Sequence, residues 1–231
     1  MQTRWHVAAH MDEWLTRARA WISRAEREAL AARAAFHVVL AGGGTPRRLY
    51  MALAREPHDW PRWHVWFGDE RCLPAGDAER NSTMARASFG DRTIRPDHFH
   101  AMPAELGAEA AARKYSETLA GTGPFDLVLL GLGEDGHTAS LFPGHDWGTT
   151  PDAPDVLPVH DAPKPPPDRV SLSARRLAMA RQVLFLVSGA DKRQAVARWH
   201  AGEAIPASAI RPAVGVDVLL TTESCPPGVE P

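Results

Sequence analysis

Apolar residues along this chain alternate between two rhythms. Short, nearly continuous apolar runs occur at His37-Val38-Val39-Leu40-Ala41, Trp63-His64-Val65-Trp66-Phe67, Phe125-Asp126-Leu127-Val128-Leu129-Leu130, Gln182-Val183-Leu184-Phe185-Leu186-Val187 and Val214-Gly215-Val216-Asp217-Val218-Leu219-Leu220. Each has the length and the branched or aromatic content of a buried strand. Between them apolar positions fall at helical spacing. Residues 11–35, rich in Ala, Arg and Glu, bring Trp14, Ala18, Trp21, Ile22, Ala25 and Leu30 to one side of a helix, with the tryptophans as core anchors. Shorter helices are predicted over residues 46–54, 81–89, 105–119 and 188–200, and weaker strands at 98–102, 156–160 and 169–172. The first six residues run into the charged helical pattern, residues 144–168 read as a long Pro-rich loop, and the tail after residue 220 reads as loose. Strands alternating with helices predict an α/β fold, a mostly parallel sheet with helices on both faces, built as a single domain over residues 1–231.

Four segments that directly follow strands are rich in chemistry. In Gly42-Gly43-Gly44-Thr45-Pro46 the glycine amides can point at an anion, the Thr45 hydroxyl can donate to it, and Pro46 suits the first position of a helix whose amino terminus favours negative charge. The pattern is neither the nucleotide P-loop nor the dinucleotide fingerprint, so it fits a small phosphate ester. Gly68-Asp69-Glu70-Arg71 clusters three charges after the next strand, and Asn81 opens a helix that it could merely cap. Gly131-Leu132-Gly133-Glu134-Asp135-Gly136-His137 packs three glycines, two carboxylates and an imidazole into seven positions; Asp135, two residues before His137, can orient the ring as a general base. Lys192, after Ser188-Gly189-Ala190-Asp191, falls in a first helical turn, where a cation opposes the helix dipole unless it faces a bound anion. In parallel sheets ligands bind beyond the carboxyl ends of the strands, so all four segments converge on one edge.

Composition narrows the function classes without changing this picture. With 44% hydrophobic residues, 23% charged and a net charge of −2, nothing points to nucleic acid or a membrane surface. Cys72 and Cys225 lie far apart without C-x-x-C spacing, which suggests neither a disulfide framework nor a thiolate metal site. No apolar stretch approaches the ~20 residues of a membrane span and no leader pattern is visible, so a cytoplasmic location is expected.

The blocks Ala41-Gly42-Gly43-Gly44-Thr45-Pro46, Gly68-Asp69-Glu70-Arg71 with Asn81 downstream, Gly131-x-Gly-x-Asp-Gly-His-Thr-Ala-Ser-Leu-Phe-Pro-Gly144, and Gly189-x-x-Lys192 together resemble the 6-phosphogluconolactonase family, in register from residue 37 to 220. Two positions depart from the family pattern: Ala41-Gly42 stands where serine is frequent, and Arg80 where a serine usually precedes the asparagine. The resemblance implies the fold shared with glucosamine-6-phosphate isomerases, an open, mostly parallel, Rossmann-like α/β sheet, with no metal or other cofactor and a phosphorylated sugar lactone of the pentose phosphate pathway as the small-molecule partner. A monomer or weak homo-oligomer is expected. The isomerases share the glycine loop, Asp69-Glu70 and Asp135-Gly136-His137 but continue with a glutamate-containing segment, where this chain has Thr138-Ala139-Ser140-Leu141-Phe142.

Hydrolysing a δ-lactone is acyl transfer to water, and no G-x-S-x-G elbow supplies a covalent nucleophile. His137, through Nε2 or Nδ1, is expected to activate the water with Asp135 orienting it; Arg71 and the amides of residues 131–136 are candidates for the oxyanion. Gly43, Gly44, Thr45, Arg169 and Lys192 are expected to hold the phosphate, with Asp69 and Asn81 near the sugar. Two alternatives stay open: an aldose–ketose isomerase or deaminase using Asp69 as its base, and a non-catalytic sugar-phosphate sensor.

Overall fold

Nine strands and six helices organise the computed structural model, which describes residues 2–90 and 94–229. The strands are β1 (Thr3–Ala8), β2 (Phe36–Leu40), β3 (Trp63–Phe67), β4 (Asp69–Arg71), β5 (Leu127–Leu130), β6 (Val156–Val159), β7 (Arg169–Leu172), β8 (Val183–Val187) and β9 (Val216–Thr221). The helices are α1 (Met11–Arg33), α2 (Gly44–Leu53), α3 (Asn81–Phe89), α4 (Ala108–Leu119), α5 (Ala174–Ala178) and α6 (Arg193–His200). Six strands form one sheet in the order β1-β9-β8-β5-β2-β3, and every pairing in it is parallel. This is the expected α/β architecture.

Burial explains why the central strands read as unbroken apolar runs. All residues of β5, β8 and β9 are buried, because a parallel sheet is covered on both faces. Helix α1 starts at His10, whose ring accepts the Glu13 N–H, and carries Asp12 and Glu13 at its positive end. It buries Trp14, Ala18, Ile22, Ala25 and Ala29, spaced by three or four residues, and the Trp14 indole N–H donates to the Leu219 carbonyl at 3.0 Å. Glu26 is also buried on α1. Its carboxylate accepts from the Trp63 indole at 2.8 Å and the Asp59 amide at 2.9 Å, and it meets the His58 ring, so the buried charge is fully partnered.

Several expectations are corrected. The amino terminus is not part of the helical pattern: residues 3–8 form β1, pairing with β9 at the sheet edge. Asp69-Glu70-Arg71, for which no strand is predicted, forms β4 and leads a second, antiparallel sheet of order β4-β7-β6. Residues 98–102 form no strand; a 3-10 turn at Pro96–His98 and a single bridge from Phe99 to Val65 stand there instead. Helix α2 begins at Gly44, so Pro46 is its third residue, still in the turn whose N–H groups lack partners within the helix. The tail is not loose through Val229, which is buried against the core.

Beside β2 and β3 four imidazoles stack in a column. His37 lies 4.5 Å from His64, His64 lies 3.8 Å from His98, and the Trp66 indole lies 3.8 Å from His100. Burial first, and then repulsion from the neighbouring imidazoles, holds His64 and His100 down at about 4. The unfolded chain takes up these protons near pH ~6.5, whereas the folded protein resists until about pH 4. Stability present above pH ~6.5 is therefore lost as the pH falls from there towards 4, by on the order of 2 kcal/mol for the pair. Urea midpoints between pH 7.5 and 4.5 should fall more steeply for the wild type than for a His64→Gln/His100→Gln variant; equal slopes would refute this account.

Candidate active site

Chain direction puts a crevice between β2 and β5. These neighbours run parallel, but the chain leaves β2 for β3 on one side and β5 for β8 on the other, so the loops after them part. Beyond their carboxyl ends lies a cleft of about 350 Å³. Gly43, Asp69, Arg71, Asn81, His137, Arg169 and Lys192 line it, so seven of the ten residues singled out from sequence share one cavity.

The wall from β4 and α3 is fixed by Glu70. The chain passes from β3 to β4 through Gly68 alone, whose N–H donates to the Leu40 carbonyl of the central sheet and whose carbonyl accepts from Leu172 of the second. Fully buried, the Glu70 carboxylate accepts the N–H groups of Asn81 at 2.7 Å, Ser82 at 2.8 Å and Arg71 at 2.9 Å. It thereby serves the orphan donors at the start of α3. Buried Arg80 supplies a cation 3.5 Å away while its guanidinium also holds Glu105 and the Met102 carbonyl. Asn81 is thus not the cap of α3 but its first residue, and its amide donates to both the Asp69 carboxylate and the Asp69 carbonyl at 2.9 Å. The other Asp69 oxygen accepts from the Ser140 hydroxyl at 2.6 Å. Gly42 faces Asn81 so closely that a Cβ there would sit 2.0 Å from its Oδ1.

The β5 side carries the histidine. Asp135 accepts both the His137 ring Nδ1 in a short contact and the His137 N–H at 3.1 Å, which leaves Nε2 as the ring nitrogen free for proton transfer. Burial works to raise the Asp135 carboxyl, but these hydrogen bonds outweigh it and hold it below its ordinary range. The Gly133 N–H donates to the His137 carbonyl at 2.8 Å and the Gly136 N–H to the Gly133 carbonyl at 3.0 Å, so both amides are engaged inside the loop. Phe142 backs the imidazole with ring centroids 4.8 Å apart. Ala139 adopts a left-handed φ of 49°, a conformation costing about 1 kcal/mol outside glycine, between Thr138, bonded to the Gly131 carbonyl, and Ser140.

Three residues singled out from sequence stand outside the lining. Asp135 lies behind His137; Gly44 and Thr45 form the first two positions of α2, where the Thr45 hydroxyl meets Ser188 at 2.7 Å. The cations are held differently from one another. Lys192 sits in a 3-10 turn ahead of α6 and pairs with Asp191 at 2.7 Å and Glu134 at 3.8 Å. Arg71 donates to the Glu79 carbonyl, while its buried Nε has no partner among the described residues. Arg169 is buried and donates to the carbonyls of Lys164, Pro165 and Pro166. Burial, above all, lowers its proton affinity. Sequence reasoning missed Ser140, Phe142 and Lys164 as lining or supporting residues; for Lys164 the available signal was a lone cation inside Pro163-Lys164-Pro165-Pro166-Pro167. Among the described residues no group of three or more His, Cys, Asp or Glu side chains is placed to hold a metal ion.

The profile of the family described as glucosamine-6-phosphate isomerases/6-phosphogluconolactonase matches residues 9–219. The chain is 42% identical over 189 residues to a 6-phosphogluconolactonase of Streptomyces coelicolor, covering 74% of this chain and 72% of the relative. It is 38% identical over 211 residues to that of Mycobacterium leprae, with 85% and 84% covered. The crystal structure of 6-phosphogluconolactonase from Thermotoga maritima superposes with a TM-score of 0.87 at 27% identity, covering 96% of this chain and all of that one.

A Cβ on Gly133 would lie 2.0 Å from His137 Nδ1 and 2.7 Å from the Asp135 carboxylate. Gly133→Ala should therefore keep the fold, with stability within ~1 kcal/mol, while separating the imidazole from Asp135. A crystal structure of the variant tests this; an undisturbed Asp135–His137 pair would show that the contact does not require glycine.

Proposed function

The chain belongs to the glucosamine-6-phosphate isomerase/6-phosphogluconolactonase family, and from that membership we propose that it works as the lactonase. It hydrolyses 6-phosphoglucono-1,5-lactone to 6-phosphogluconate in the pentose phosphate pathway, a carboxylic ester hydrolysis. The observation that carries the mechanism is His137, lining a cation-rich cleft with Nδ1 bound to Asp135 and Nε2 left for chemistry.

Water attacks the lactone carbonyl carbon as Nε2 of His137 accepts its proton, and a tetrahedral oxyanion forms. Collapse of that intermediate breaks the bond to the ring oxygen, which takes the proton back from the imidazolium. Asp135 fixes the tautomer and stabilises the transient charge. Arg71 stabilises the oxyanion, a choice supported by the engagement of the Gly133 and Gly136 amides within their own loop. Lys192 and the Gly43-Gly44-Thr45 turn, at the positive end of α2, bind the phosphate. Asp69 and Asn81 face the sugar hydroxyls. Both Asp69 oxygens already accept hydrogen bonds, from Asn81 and Ser140, which favours a binding role over that of the proton-transferring base an isomerase would need.

The reading takes residues 1–231 as one domain acting in the cytoplasm on a small molecule, without cofactor or nucleic acid, as a monomer or weak homo-oligomer. No helix among the described residues is long and apolar enough to cross a membrane. The test is the disappearance of freshly made 6-phosphogluconolactone, with spontaneous opening subtracted, for wild type and His137→Ala. The variant should lose ~10²–10⁴-fold in rate. Wild-type turnover no faster than background would overturn the lactonase reading, and a fully active variant would overturn the role of His137.

A further inference from the structure

Four cationic side chains, Arg71, Lys164, Arg169 and Lys192, line the cleft, against a single carboxylate, Asp69. Three of the four are committed within the protein. Arg71 holds the Glu79 carbonyl, Lys192 holds Asp191, and Arg169 holds the carbonyls of residues 164, 165 and 166. Lys164 makes no hydrogen bond or ion pair among the described residues, and it is exposed on the cleft wall.

The segment that carries Lys164 is a closed strap between β6 and β7. The Ala162 N–H donates to the Pro167 carbonyl at 3.0 Å, and the Cys72 N–H donates to the Asp168 carbonyl at 3.0 Å, tying the strap to the end of β4. Ala162 packs in a small apolar cluster with Phe142 and Val159. Phe142 also faces the His137 ring and lies under the Arg169 guanidinium at 5.7 Å. The strap is therefore registered on the same aromatic ring that backs the imidazole. Asp191 is held low by its hydrogen bond from Lys192 and, in smaller part, by the charge of Lys164, and both lysines line the same cleft.

We propose that Lys164 is a specificity-determining residue that recognises the substrate's phosphate dianion opposite Lys192, and that Arg169 is a positioning residue which aims the strap through three carbonyls instead of binding phosphate itself. A phosphate monoester bound at the two lysines offers up to three acceptor oxygens, enough for the unpaired Lys164 ammonium and for Lys192, which now has the Asp191 carboxylate. An arginine buried and forked onto successive carbonyls is suited to hold a strap; a lysine has three donors but no rigid planar fork, so it does not fix the three carbonyls in one geometry.

The inference rests on the lactonase reading, and its test separates the two. Hydrolysis of 6-phosphogluconolactone and of unphosphorylated glucono-1,5-lactone is compared for wild type, Lys164→Met, Lys164→Arg, Arg169→Lys and the Lys164→Met/Arg169→Lys double variant. Lys164→Met should lower the ratio of kcat/KM for phosphorylated over unphosphorylated lactone about tenfold, through KM, with Lys164→Arg restoring it. Arg169→Lys should give the same shift, and the double variant should be no worse than either single one. An unchanged ratio in Lys164→Met overturns the role of Lys164; additive losses in the double variant overturn the positioning role of Arg169. Calorimetric titration with 6-phosphogluconate reads the same contact without turnover. If the wild type opens neither lactone above background, the lactonase reading fails, while about tenfold weaker binding by Lys164→Met still supports the phosphate contact and equal binding overturns it.

Discussion

The cleft depends on a carboxylate that does not line it. Glu70 is fully buried where the central sheet, the second sheet and α3 meet, and its two oxygens accept the first N–H groups of α3. A charge in that place is stable because the helix end presents unpaired donors and a positive dipole, with buried Arg80 as counter-charge. Position follows from this. With the start of α3 tied to β4, Asn81 has one place to go, between Asp69 and Gly42, and Asp69 has both oxygens committed before any ligand arrives.

Two of the glycines make room for side chains. Gly42 leaves room for the Asn81 amide and Gly133 leaves room for the His137 ring, each at a distance a Cβ would close to 2.0 Å. The backbone thus comes close enough for an imidazole to lie flat against its own loop, where Asp135 reaches Nδ1. The same loop uses the amides of Gly133 and Gly136 to hold its shape. A loop rich in glycine amides therefore need not be an anion hole.

The second sheet joins the two halves of the cleft. β4 brings Asp69 and Arg71, and β7, paired beside it with Arg169 in register with Arg71, brings Arg169 and, through the strap, Lys164. Phe142 touches the histidine and lies under the Arg169 guanidinium, so His137, the strap and the arginine share one apolar contact. Such a contact transmits small displacements because packed interiors deform little.

By itself the sequence determined the α/β class, five of the six central strands, the main helices and the family. These are legible because strand burial on both faces writes continuous apolar runs, and because Asp135-Gly136-His137 is a local constellation whose geometry spans three residues. β1 was hidden because it is an edge strand of mixed polarity whose partner, β9, lies at the far end of the chain. β4 was hidden because three charged residues carry no strand signal; its pairing with β7, some hundred positions later, decides its state. Only tertiary structure decided which nitrogen of His137 is free, that Thr45 turns to Ser188, that Arg169 grips a strap, and that Lys164 reaches the cleft. Thr45 and Ser188 meet across 143 positions, and Lys164 reaches the cleft because β7, which follows its strap, pairs with β4; the His137 and Arg169 contacts are short in sequence, but their geometry is fixed only where the folded backbone holds donor and acceptor together.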